Sequence, residues 1–287
     1  MAQKHPKLEE ESSVLAAVLQ MNSGPDVEKN LAALQGLVRK SAARGAQLVV
    51  APEGATCLGP DEARVAASEP LPRGGPVLEE LVRIARESKV HLVTGFWELP
   101  SIATSATDER PRVRNACVHL TPEGDVAAVY RKIHLFDVRL PSGEAHDESS
   151  SIERGTEVVV TQTPAGVLGL SICYDVRFPE LYRALVGKGA TAIAIPSAFT
   201  VTTGKDHWHV LVRARAIESQ CYVLAAAQTG THYAARASYG HALICDPWGC
   251  VVAEASDGVG VAVAAVELDR VRAVRQALPS LQHRVLV

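Results

Sequence analysis

A thiol, a carboxylate and an ammonium each close a short apolar run in this chain of 287 residues. Cys173 stands between "GVLGLSI" and "YDVRFPELYRAL". Residues 167–172 are apolar and bounded by Gly166, which predicts a buried strand, and Pro179 with Leu181 and Leu185 predicts a helix opening. Cys173 therefore falls at a strand-to-helix turn, where open α/β sheets form their ligand crevices. It is either a nucleophile or a small buried hydrophobe, which is what most cysteines are. Glu53 follows "LVVAP" and precedes Gly54, again at a strand end; it is either a crevice carboxylate or a solvated loop group or helix cap. Lys132, in "VYRKIHLFDV", ends a hairpin strand among apolar residues. Buried there without a carboxylate it would cost several kcal/mol, so it is either paired or a surface lysine. Together the three suit nucleophilic attack on a carbonyl. A free thiol has a pKa of about 8.5 and needs a base to attack at neutral pH, and a fixed cation stabilises the oxyanion that forms.

The elements that must position these groups alternate along the chain. Ser13–Met21 reads as a strand, 27–44 as an amphipathic helix and 47–53 as a second buried strand. After the loop "EPLPRGGP" come a helix at 77–88 and a strand at 91–99. A hairpin follows around Thr121-Pro122-Glu123-Gly124. The second half repeats the design: "GLSICYD" strand, "PELYRALVGKG" helix, "TAIAIPSA" strand, "DHWHVLVRARAIESQ" helix, "CYVLAAAQ" strand, a hairpin at Pro247-Trp248-Gly249, and "GVAVAAVEL" strand. About twelve strands and four or five helices, in two similar halves, predict an α/β protein: a four-layer α-β-β-α sandwich with two mixed sheets of about six strands each. No linker divides it, so residues 13–287 are expected to form one domain behind a disordered extension at 1–12.

Composition narrows the partners. With 47% hydrophobic and 21% charged residues the chain can build a large core, and a net charge of −3 without a lysine/arginine cluster disfavours nucleic acid and anionic membranes. A small-molecule ligand is expected instead. "MAQKHPKLEEESS" has no apolar targeting region and no run approaches the roughly 18 residues that span a bilayer, which predicts a cytoplasmic protein. The six cysteines lack CxxC spacing and read as free thiols, with no metal site. His207 and His209, flanking Trp208, read as a packed helix end rather than metal ligands, and Arg213 and Arg215 as a packing and dimer-contact face.

"VVAPEG", "YRKIHLFDV" and "SICYDVRFPELYR", in that order, resemble the signature blocks of the nitrilase superfamily of carbon–nitrogen hydrolases over residues 13–284. "CYDVRFPE", "IPSAFTVTTGKDHWHVLVRARAIESQCYVLAAAQTG" and "RASYGHALICDPWG" are most similar to its deaminated glutathione amidase branch. The resemblance implies the α-β-β-α sandwich, catalytic Glu53, Lys132 and Cys173, and no cofactor or metal. It also points to Glu148, in "HDESSSIERGTEV", as a second glutamate; Arg154-Gly155 stands where relatives often have Pro-Gly, and Glu144, Asp147 and Glu153 compete for the role. Gly54 replaces a larger residue. The implied reaction is hydrolysis of the terminal amide of deaminated glutathione through a thioester, with release of ammonia. Glu53 would be the base and Lys132, with the N–H after Cys173, the oxyanion donor.

For specificity, Arg177 would grip a substrate carboxylate or else pair with Glu180 or Asp175. Phe199 and Thr203 resemble substrate-contacting positions, and Tyr174 beside the nucleophile joins them. The same catalytic set would serve an ω-amidase acting on 2-oxoglutaramate or an N-carbamoyl amino acid hydrolase. A non-catalytic scaffold conflicts with the presence of every needed side chain. Relatives of this kind pair across helices and exchange tails, so a homodimer with the apolar tail "PSLQHRVLV" docked is expected.

Overall fold

The computed structural model describes residues 13–100, 112–140, 143 and 145–286. Residues 1–12, expected to be a disordered extension, and Glu144 lie outside the described residues. The chain opens with β1 (Ser13–Met21), α1 (Val27–Ala42), β2 (Leu48–Val50), α2 (Asp61–Ala66), α3 (Pro76–Ser88) and β3 (His91–Glu98). β4 (Arg114–Leu120) and β5 (Val126–Arg131) form a hairpin, and β6 (Asp137–Arg139) and β7 (Ala145–Asp147) a separate ribbon. β8 (Val160–Thr163), β9 (Gly166–Leu170), α4 (Pro179–Gly187), β10 (Ala192–Ala194), α5 (Val201–Ser219) and β11 (Tyr222–Ala225) follow. β12 (Ala227–Tyr233), β13 (Arg236–Tyr239), β14 (Leu243–Cys245), β15 (Val251–Glu254), β16 (Gly260–Glu267) and α6 (Leu268–Ala277) come last.

Side-chain alternation explains the layers. In β1, Ala16 and Val18 face one core, while Ala17, Leu19 and Met21 face another; β2 divides the same way, with Leu48 and Val50 against Val49. The second set meets Leu34 and Val38 of α1 and Leu81 and Ile84 of α3. The first set meets the other sheet, through Leu168 and Leu170 of β9. Between those leucines Gly169 turns to the opposite face, where a Cβ would stand 3.2 Å from Leu185 Cβ of α4. Helices thus cover the outer face of each sheet, and full burial of each such leucine or valine stabilises the fold by about 1.5–3 kcal/mol. α1 starts where Asp26 accepts a hydrogen bond from Lys29 N at 3.1 Å. α3 starts at Pro76 after Gly75.

The sheets are mixed, as expected, but unequal. One has eight strands and the other six, against an expected six or so in each. Strands β12, β13 and β16 of the second half join the first sheet: β12 runs parallel to the end of β1, and β16 pairs antiparallel along the rest of it. Consequently "CYVLAAAQ" is two strands rather than one. Ala226 alone separates β11, in the six-stranded sheet, from β12, in the eight-stranded sheet. Among the described residues no helix is long and apolar enough to cross a membrane.

Candidate active site

The carboxyl ends of β2, β5 and β9 all face one cleft. Glu53 lies in the turn after β2, Lys132 directly after β5, and Cys173 after β9 at the start of a 3-10 turn spanning Cys173–Arg177. Glu148 opens another 3-10 turn, Glu148–Ser150, after β7. The cleft holds about 520 Å³ of space open to solvent, and all four of these residues line it, with Tyr174, Arg177, Phe199 and Thr203. Every site residue expected from the sequence is therefore at one place.

Lys132 is only 2% exposed and its charge is fully engaged. Nζ lies 3.0 Å from Glu53 Oε1 and 2.9 Å from each oxygen of Glu148. Glu148 Oε2 also accepts from Phe136 N at 2.6 Å, which locks the carboxylate against the segment following Lys132. Two of the competing acids are elsewhere: Glu153 pairs with Arg114, and Asp147 contacts Ser149 and Ser150. Glu53 accepts on both oxygens, from Lys132 and from Asn115 Nδ2 at 2.7 Å on Oε1, and from Ala198 N at 2.9 Å on Oε2. Burial pulls its pKa upward, but the Lys132 charge and the contacts from Cys173, Lys132 and Asn115 outweigh it and hold the carboxyl below its ordinary range. Burial also works against the Lys132 charge, and the Glu148 and Glu53 carboxylates overcome it, so the ammonium titrates far above its usual value.

Cys173 answers differently. Burial and then the Glu53 charge push the thiol well above the ordinary cysteine range, with Lys132 opposing only in part. The resting pair is thus a thiol beside a carboxylate, which calls for proton removal during attack rather than a stored thiolate. The backbone of Cys173 has φ of 48°, in the left-handed region that a residue with a Cβ occupies at a cost of about 1–3 kcal/mol. That conformation is held: Cys173 N donates to Pro196 O at 2.9 Å. Asp175, fully buried, accepts from Ile172 N at 2.9 Å, from Tyr130 OH at 2.7 Å and from His134 N at 3.1 Å. It ties the thiol's turn to the two residues that flank the Lys132 segment. The Tyr174 N–H, next along the turn, has no acceptor among the described residues.

Arg177 pairs with neither Glu180 nor Asp175. Its guanidinium is stacked over Phe199 at 5.1 Å and Tyr174 at 5.8 Å, and Nη1 meets His207 Nδ1 at 3.2 Å. Burial lowers its pKa. Thr203 lines the cleft but its hydroxyl is held 2.9 Å from that of Thr200, the cap of α5. His207 and His209 diverge, as residues two apart on a helix do; His209 Nε2 meets Glu254 Oε1 at 2.9 Å. Arg215 is a packing residue, stacked over Tyr182 and donating to Val176 O at 2.7 Å, while Arg213 donates to Gly249 O at 2.8 Å.

Several groups escaped the sequence. Asn115 sits opposite Lys132 across the β4–β5 hairpin, where Lys132 N donates to Asn115 O at 2.9 Å. Pairing across the predicted turn carried that signal, but a β-bulge at His119/Leu120 shifts the register. Ala198 contributes only its backbone, which no residue type announces. Arg64, over the Trp97 ring at 5.3 Å, and Arg236 add two more guanidinium groups to the cleft wall.

The family model for carbon-nitrogen hydrolases matches residues 15–276. A deaminated glutathione amidase of Synechocystis sp. is 42% identical over 276 residues, spanning 95% of this chain and 98% of that protein. The protein of the same name from Homo sapiens is 45% identical over 273 residues, 94% of this chain and 82% of that one. The crystal structure of the C. elegans NitFhit protein superposes with a TM-score of 0.84 at 37% identity, covering 95% of this chain and 65% of that one. Saccharomyces cerevisiae Nit3, of the nitrilase superfamily, gives 0.81 at 29% identity, over 93% and 94%. The chain belongs to the carbon-nitrogen hydrolase family and is a hydrolase of amide carbon–nitrogen bonds.

Proposed function

We propose that this enzyme cleaves the 2-oxoglutaryl amide bond of deaminated glutathione through a thioester on Cys173. The observation that carries the mechanism is the Glu53 carboxylate, fixed by Lys132 and Asn115 at 3.0 and 2.7 Å on one oxygen and adjoining the thiol. Sulfur attacks the amide carbon as its proton passes to Glu53, and the carbonyl electrons move to oxygen. Lys132 and the Tyr174 N–H stabilise that oxyanion; one such donor is worth about 2.7–4 kcal/mol in the transition state. Glu53 returns the proton to nitrogen, the C–N bond breaks and the amine departs. Water then gives a proton to Glu53 and attacks the thioester, the C–S bond breaks, and Glu53 passes that proton to the departing sulfur, which restores both the thiol and the carboxylate. Glu148 holds Lys132 in register.

The leaving group differs from the ammonia expected above. Glutathione contains two secondary amides and no primary one, so removal of its amino group leaves no source of ammonia. Its 2-oxoglutaryl amide releases cysteinylglycine; ammonia leaves only from a primary amide such as 2-oxoglutaramate. Arg177, with no carboxylate partner among the described residues, suits the 2-oxo acid carboxylate common to both.

The relatives' names favour the peptide substrate. We assign the enzyme to the cytoplasm as a homodimer. The dimer is supported by Val210, Ile217 and Trp248, exposed by 66%, 47% and 53%, and by Val285 and Leu286, exposed in the tail. Release of 2-oxoglutarate from deaminated glutathione and from 2-oxoglutaramate, with Cys173→Ala as control, tests the reading. Preference for the peptide, abolished in the variant, supports it; preference for 2-oxoglutaramate makes the enzyme an ω-amidase, and turnover of neither refutes both.

A further inference from the structure

Away from the cleft, three separate elements bring two imidazoles and a carboxylate together. His209 projects from α5, His241 stands between β13 and β14, and Glu254 ends β15. None of the three lines the cleft. Leu243 and Glu254 are register partners in the β14–β15 hairpin, so His241, two residues before Leu243, is held at the same end as Glu254. His241 has φ of 59°, a left-handed backbone that a non-glycine residue adopts at a cost. Glu254 Oε1 meets His209 Nε2 at 2.9 Å and His241 Nδ1 at 2.8 Å, and the three atoms all lie within 4.8 Å of one another. Tyr239 fixes the rings: its centroid is 4.5 Å from His241 and 6.2 Å from His209, and its own side chain packs on Gly204 of α5.

The geometry points to a binding site for a borderline divalent transition ion such as Zn2+, with His209 Nε2, His241 Nδ1 and Glu254 as ligands and water completing the shell. Two imidazoles and a carboxylate are a donor set that such ions prefer over Mg2+ or Ca2+. Both rings need only exchange tautomers, so that the nitrogens now donating to Glu254 present lone pairs. Zn–N bonds of about 2.0–2.1 Å in a tetrahedron separate ligand atoms by about 3.3 Å. The atoms now at 2.8–2.9 Å must therefore spread by about 0.5 Å, within the reach of side-chain rotation. After the exchange His241 Nε2 carries the proton, and Asp257 Oδ1 stands 4.0 Å from it. At that distance the fully exposed Asp257 makes no hydrogen bond to the ring and only adds negative charge near the bound cation. The side chains of the two histidines and Glu254 are about one-third exposed, at 33%, 28% and 33%, so an ion can enter. Once bound, it would clamp α5, which carries Thr203 into the cleft, to the β14–β15 hairpin.

The test is titration of the full, chelator-treated chain with Co2+ alone and then with Zn2+ alone, followed by calorimetry and visible absorption. One equivalent of Co2+ should bind with a d–d spectrum lacking thiolate charge transfer, and Zn2+ should displace it. Glu254→Gln and His209→Ala should each weaken binding at least about tenfold, the lower end of what is lost when metal-site partners are removed. Both should keep wild-type turnover. Absence of saturable binding overturns the proposal, as does unchanged affinity in the two variants. A thiolate charge-transfer band that vanishes in Cys173→Ala also overturns it, because the ion then sits on the nucleophile.

Discussion

Glu53→Gln looks like the mildest change at the centre of the site, yet the hydrogen bonds make it severe. Glu53 accepts on both oxygens: Lys132 and Asn115 donate to one, at 3.0 and 2.7 Å, and Ala198 N to the other at 2.9 Å. Glutamine has a single acceptor, so either orientation of the amide points its NH2 at a donor that has lost its partner. Lys132 is not orphaned, because both oxygens of Glu148 remain 2.9 Å away. The stability loss is therefore that of one charge-assisted hydrogen bond, about 1.5–3 kcal/mol, rather than that of a stranded buried ammonium. At roughly 2–4 °C per kcal/mol, the melting temperature should fall by about 3–12 °C. Loss of the base should cost a further 10²–10⁴-fold, or about 2.7–5.5 kcal/mol, in turnover, with KM nearly unchanged. Differential scanning fluorimetry and initial-rate measurement of 2-oxoglutarate release read the two effects separately. A variant with more than a tenth of wild-type turnover refutes Glu53 as the base, and an unshifted melting temperature refutes the donor-crowding account.

The pH profile should be broad. Because Glu53 titrates below its ordinary value of about 4.3, its catalytic role and its contribution to stability should both persist above that pH and disappear only as pH falls through the lowered folded-state pKa. Lys132 acts in the opposite direction, its contribution being complete below about pH 10.4 and lost only as pH rises through its raised value. An acid limb in kcat/KM centred above pH 5 would contradict this. Arg177→Met should raise KM for a 2-oxo-acid amide by about 10–150-fold, the worth of one charged hydrogen-bonding partner. A neutral aliphatic amide should be unaffected, and equal losses on both would remove Arg177 from carboxylate recognition. Iodoacetamide at neutral pH should label Cys173, which lines the open cleft beside the Glu53 base, and the exposed Cys250, but not Cys57, Cys221 and Cys245, which lie buried away from the cleft with thiols pushed to about 11, 11 and 12. Peptide mapping checks this, and Glu53→Gln should slow labelling of Cys173 alone.

Periodicity located Cys173, Glu53 and Lys132 because each ends a strand whose burial is written in consecutive apolar residues, and the crevice side of such a sheet follows from strand direction. Glu148 carries no such mark. It lies in a short turn after a three-residue strand, and only likeness to a family pointed to it. Asn115 was hidden by the bulge in its hairpin, and Ala198 by acting through the backbone. The equal division of strands failed for a related reason. "CYVLAAAQ" has one uninterrupted apolar pattern, and local hydrophobicity cannot reveal that its ends pair with different sheets. Likewise His207 and His209 are near neighbours in sequence, while their partners Arg177 and Glu254 lie on opposite sides of the helix and far away in the chain.

The crossing at Ala226 fixes how this enzyme can fail. Glu53 and Lys132 are carried by the eight-stranded sheet and Cys173 by the six-stranded one, so the thiol-to-carboxylate spacing is set by the thickness of the apolar filling between them. With the chain stitched from one sheet to the other through a single residue, the sheets cannot glide to relieve a misfit; they can only be wedged apart. Enlarging Ala16 or Val18 in that filling would cost about 1–3 kcal/mol of overpacking, which a well-cored chain survives. The damage would surface as slow chemistry in a folded protein. Substitutions remote from the cleft can therefore mimic active-site lesions, and the filling between the sheets behaves as a spacer for the reaction as much as a source of stability.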